Sequence, residues 1–111
     1  MKTNGLVGLL QEALTDDDIL LAFVFGSIAR GETQAKSDVD LMIIGSLGLR
    51  RLTKLLSGVA EQIGREINPH IMTMSELKQR KRQHDHFLTT VLQAPKLFIK
   101  GTDDELAAMG Q

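Results

Sequence analysis

Apolar and polar positions along this chain switch between two periods. Gly5, Leu6, Val7, Leu9, Leu10, Ala13 and Leu14 fall at helical spacing, which predicts a first helix over about residues 5–15. Thr15-Asp16-Asp17-Asp18 is an acidic break that reads as a solvated turn. Ile19 to Phe25 is then continuously apolar, the mark of a buried central strand. A second apolar strand runs from Asp38 to Ile44 and ends at Gly45, Ser46 and Gly48. From Leu49 to Ile63 the period returns to helical. Leu52, Leu55, Leu56, Val59 and Ile63 share a face, and Gly64 supplies a C-cap. Residues 65–73 read as a third strand, placed at an edge or made irregular by Pro69. A helix follows from Met74, with Ser75 as N-cap. Another spans Phe87 to Ala94 and buries Phe87, Leu88, Val91 and Leu92, until Pro95 breaks it. Lys96 to Lys100 is a short fourth strand, and an acidic, frayed helix closes the chain. The order of elements predicts an α/β domain with a mixed sheet of about four strands flanked by helices.

Composition narrows the classes. At 111 residues, with 42% hydrophobic and 24% charged positions, the chain is expected to form one domain over residues 1–111. A net charge of −1 gives no global electrostatic case for nucleic acid or a membrane surface. No run approaches the length of a membrane span, and the N-terminus lacks a signal-like apolar core. Cytoplasm is the default location. With no Cys, disulfides and thiolate metal sites are excluded.

The chemistry gathers between the two apolar strands. Asp38 and Asp40 flank Val39, so strand alternation turns both carboxylates to one face. Two like charges so close repel, and a hard divalent cation such as Mg²⁺ resolves the conflict. A solvated turn carries the same pattern. Upstream, Gly26 lets the backbone turn sharply after the first strand. Ser27 offers a hydroxyl where a brief helix over Ser27–Arg30, closed by Gly31, would begin, and a helix start favours anions. Arg30 either approaches a phosphate or braces the loop, and Lys36 either touches phosphate or stays solvated. Alternation also places Glu66, Asn68 and His70 on one face of the third strand. His84 and His86, at i and i+2, share no helix face, so His84-Asp85-His86 reads as a helix-start turn. Lys78, Arg80, Lys81 and Arg82 form either a solvated helix face or a patch for phosphates, RNA or an acidic partner.

Gly26-Ser27, ten residues, then Asp38-Val39-Asp40 resembles the signature of the DNA polymerase β-type nucleotidyltransferase superfamily. Gly-Ser-Ile-Ala-Arg-Gly followed by Ser-Asp-Val-Asp-Leu is similar to its minimal nucleotidyltransferase (MNT), antitoxin-like branch. The resemblance implies a palm-like core, with Asp38, Asp40 and a third carboxylate holding two Mg²⁺ ions. Glu66 is the acidic residue best placed for the third position, where the family more usually has Asp. Gly26, Ser27, Arg30 and Lys36 become the nucleotide-binding set. The implied reaction moves a nucleoside monophosphate, AMP by family habit, from ATP or another NTP to a hydroxyl acceptor. Two alternatives stay open. One is an antitoxin neutralising a HEPN-type toxin; the other is a catalytically silent nucleotide-binding regulatory domain. A protein acceptor or a homo-oligomer would complete so short a chain. An RNA end stays among the acceptors, although the charge does not favour it.

Overall fold

The computed structural model describes residues 3–26 and 38–109. The elements run α1 (Thr3–Ala13), β1 (Ile19–Phe25), β2 (Val39–Gly45), α2 (Leu49–Ile63), β3 (Ile67–Met72), α3 (Met74–Arg82), α4 (His86–Gln93), β4 (Leu97–Lys100) and α5 (Asp103–Ala108). The four strands form one mixed sheet in the order β3-β2-β1-β4. β1 is antiparallel to both β2 and β4, whereas β2 and β3 run parallel. A parallel pair needs a long crossover, and the 15-residue α2 supplies it.

Alternation along the central strands divides the core. Ala22, Val24, Val39, Leu41 and Ile43 face Leu6 and Leu10 of α1 and Leu52, Leu56 and Val59 of α2. Leu21, Phe23, Met42 and Ile44 face Leu77 of α3, Leu88 and Val91 of α4 and Leu106 of α5. Both sheet faces are therefore covered, which explains why β1 and β2 read as continuous apolar runs. Full burial of one such Leu or Ile stabilises by about 1.5–3 kcal/mol, so these two strands fix the centre of the domain.

Several boundaries and caps depart from expectation. β3 begins at Ile67, and Pro69 does lie on an edge strand, where its missing N–H leaves the ladder to β2 intact. Thr73, not Ser75, caps α3. The Thr73 hydroxyl accepts from the Glu76 N–H at 3.1 Å, and the Glu76 carboxylate accepts from the Thr73 N–H in a capping box. The acidic turn before β1 is tied down as well as solvated, because Arg51 of α2 pairs with both Asp16 and Asp18. Part of the basic run is structural. The Lys81 ammonium donates to the carbonyls of Leu106 and Met109 at the end of α5, and Arg80 pairs with Asp85 at 3.8 Å. The last helix is accordingly docked through Leu106 and Lys81. No helix among the described residues is long and apolar enough to cross a membrane.

Candidate active site

The site lies along one edge of the sheet, where β1 ends and β2 and β3 begin. Antiparallel pairing sets Phe25 opposite Asp40, and the parallel pairing sets Asp40 beside Asn68. Three strands thus deliver their chemistry-bearing residues to one place. Asp40 alternates with Val39 and Leu41, which are buried toward α1 and α2, so it faces α3 and α4. It is half-buried, and Asp38 is exposed at the mouth.

Gly26 turns directly over Asp40. Its φ is +83°, a left-handed conformation that costs any other L-residue. A Cβ built on Gly26 would stand 2.5 Å from Asp40 Oδ2, so no side chain fits without displacing that carboxylate. The glycine lets backbone approach the Asp40 carboxylate closely.

The Asn68 amide donates from Nδ2 to Asp38 Oδ2 at 3.3 Å. It holds the more exposed carboxylate from the β3 side. Glu66 lies just before β3 and is exposed. Its carbonyl accepts from the Val39 N–H at 2.9 Å, which sets Glu66 beside Asp38 in the ladder. The structure therefore brings together Gly26, Asp38, Asp40 and Asn68. Glu66 stands next to this group, and among the described residues no three His, Cys, Asp or Glu side chains gather as a metal site. Ser27, Arg30 and Lys36, with the brief helix expected at Ser27–Arg30, lie outside the described residues.

His70 is one alternation inward from Asn68. Its ring centroid lies 5.7 Å from that of Phe25 and 5.4 Å from that of Phe87, so it is a member of an aromatic cluster. His84-Asp85-His86 is the helix-start turn that its spacing predicts. Asp85 caps α4 by accepting from the Leu88 N–H at 2.9 Å. Two residues escaped the sequence reading. Alternation puts Asn68 on the right face but does not show its hold on Asp38. Phe87 was expected to be buried, yet it is 38% exposed.

The donor set suits a hard cation. Asp38 and Asp40 offer only oxygen and lie at the open edge, with the Gly26 backbone packed against Asp40. A mixed sheet with helices on both faces, and with paired aspartates at the edge beside a glycine turn, is the architecture of a nucleotidyltransferase domain. Residues 9–102 match the family described as polymerase beta, nucleotidyltransferase, and the chain belongs to that family.

Solved structures share the fold at low identity. A toxin–antitoxin with AMP-PNP is 15% identical, with a TM-score of 0.61, and the match covers 99% of this chain and 82% of that one. A mutant MntA–HpeT toxin–antitoxin is 13% identical, with a TM-score of 0.62 and the same two coverages, 99% and 82%. A tri-AMPylated Shewanella oneidensis HEPN toxin in complex with MNT antitoxin is 14% identical, with a TM-score of 0.55, covering 96% of this chain and 76% of that one. No curated protein sequence matches the chain.

Proposed function

We propose that the chain transfers a nucleoside monophosphate, AMP foremost, from its triphosphate to a hydroxyl of a protein acceptor. The observation that carries the reading is the packing of the Gly26 turn against Asp40, with Asp38 held beside it by Asn68. In the reaction the acceptor oxygen forms a bond to the α-phosphorus, the bond from that phosphorus to the bridging oxygen breaks, and pyrophosphate leaves. Asp38 and Asp40 would hold two Mg²⁺ ions, which neutralise the triphosphate and the leaving group. Gly26 and Ser27 seat the phosphates through the backbone and the hydroxyl, while Arg30 and Lys36 add positive charge. Glu66, an exposed carboxylate beside Asp38, takes the proton of the acceptor hydroxyl or joins the metal ligands.

The acceptor proposed first is a HEPN-type toxin. A toxin–antitoxin pair with AMP-PNP and a tri-AMPylated HEPN toxin bound to an MNT antitoxin stand among the solved structures that share this fold. The test is to incubate the chain with Mg²⁺, each NTP in turn and the product of a neighbouring toxin-like reading frame, then weigh the proteins by mass spectrometry. A mass increase of one AMP on the acceptor, absent with Asp40→Asn, is the expected result. Neutralisation that survives in Asp38→Asn/Asp40→Asn without any mass increase would replace transfer by an antitoxin acting through binding alone.

A further inference from the structure

The nucleotidyl-transfer reading leaves one feature of the site without a role. A cavity of about 350 Å³ opens directly from Gly26 and Asp40 and runs beneath α4, where Phe25, Phe87 and Val91 form its walls. Its size is at the lower end for small-molecule sites. Phe87 is among the few large apolar side chains exposed within the described residues, and it is exposed into this cavity. Its ring is not loose. It meets Phe25 at 6.3 Å and 73°, and His70 at 5.4 Å and 42°. α4, which carries it, is fixed by the Asp85 cap and by buried Leu88 and Val91.

We infer that this cavity receives the nucleobase of the triphosphate, with Phe87 as its stacking surface. The inference rests on the nucleotidyl-transfer reading and deepens it. Position selects the occupant. The cavity joins β1 and β2 at the glycine turn and Asp40, where the phosphates belong, and extends from there along α4 past Phe87, Thr90, Val91 and Ala94. The proposed proton acceptor, Glu66, lies on the β3 side, so the acceptor hydroxyl arrives from there. A molecule anchored at Gly26 and Asp40 and extending under α4 is therefore the nucleotide. The chemistry of the walls agrees. Apart from Asp40 the described lining is chiefly aromatic and aliphatic, and the Thr90 hydroxyl is already donated to the His86 carbonyl. Such walls offer a face for stacking rather than partners for base edges. Stacking tolerates any base and strengthens with ring area, so ATP and GTP should bind alike and ahead of CTP and UTP.

Calorimetry with two probes separates the base from the phosphates. ATP and inorganic tripolyphosphate, each with Mg²⁺, are titrated into the full chain and into Phe87→Ala, Phe87→Leu, Phe87→Trp and Asp40→Asn. The expected result is that Phe87→Ala and Phe87→Leu weaken ATP about ten-fold, leave tripolyphosphate unchanged, and are rescued by Phe87→Trp. Unchanged tripolyphosphate binding also shows that these variants fold. ATP affinity that ignores Phe87→Ala would overturn the inference and give the cavity to the acceptor. Equal weakening of both probes would overturn it too, by making Phe87 a support of the fold. The parent reading fails differently: the wild-type chain would then bind neither probe with Mg²⁺, or Asp40→Asn would bind both as well as wild type does.

Discussion

At the scale of single residues, Gly26 and Asp40 act as one unit. A methyl at position 26 meets two penalties, the left-handed backbone at φ +83° and a clash with Asp40 Oδ2. The backbone term alone costs about 1–2 kcal/mol. Relief by moving the carboxylate misplaces a group proposed to hold the metal ions, and displacements of this order cost about 100-fold in rate. Gly26→Ala should therefore fold with a reduced melting temperature and lose nearly all transfer activity, measured by thermal melting and by AMP incorporation. A variant that melts lower yet transfers normally would show that Asp40 can shift without consequence. Asn68 gives a milder case. Its amide holds Asp38 from outside the proposed metal shell, and loss of such a partner typically lowers metal affinity by about 10-fold or more. Asn68→Ala should raise the Mg²⁺ concentration for half-maximal activity by that order while leaving the melting temperature nearly unchanged. Alternation alone put Glu66, Asn68 and His70 on one face. Which of them opposes Asp40 depends on the β2–β3 register, set by the α2 crossover, and no local pattern in the sequence encodes that register.

Single elements were mostly legible, because the two sheet faces and the helical stripes write different periods into the chain. β1 and α2 fall on their expected residues, Ile19–Phe25 and Leu49–Ile63. Caps were less legible. Thr73 and Ser75 both offer a hydroxyl near the start of α3, and only the position of Glu76, three residues after Thr73, selects the former. Helical spacing reports a face but not what covers it, and α4 turns the Phe87 ring toward the cavity at the sheet edge. Asp85 links element to site, since it caps the helix that carries Phe87. Asp85→Ala should destabilise by about 1 kcal/mol and also weaken ATP more than tripolyphosphate. A second element-scale device is Lys81, whose ammonium binds the terminal carbonyls of α5. Burial pulls its pKa below the ordinary lysine value. Between that lowered value and the ordinary one, the unfolded chain binds more protons than the native state, so this contribution to stability rises with pH. Urea unfolding across the alkaline range should show the rise in wild type and a flatter profile in Lys81→Met.

For the whole molecule, the site joins parts that the chain keeps far apart. Gly26, Asp40 and Phe87 meet only after β1, β2 and α4 have packed on one sheet, so a ligand that touches all three binds the folded chain and not the unfolded one. Such a ligand stabilises by RT ln(1 + [L]/Kd), about 2.7 kcal/mol at a hundred times Kd. For a domain of this length each kcal/mol raises the melting temperature by roughly 4–5 °C, so saturating Mg–ATP should lift it by about 10 °C. The same experiment sorts the contributions. Asp38→Asn/Asp40→Asn should remove the Mg²⁺-dependent part of the rise and leave the melting temperature without ligand unchanged or higher, because two facing like charges have gone. Phe87→Ala should keep a smaller rise, equal to that given by tripolyphosphate. A rise that persists in the double aspartate variant would mean that nucleotide binds away from the paired carboxylates, and the site would then have to be sought elsewhere on the molecule.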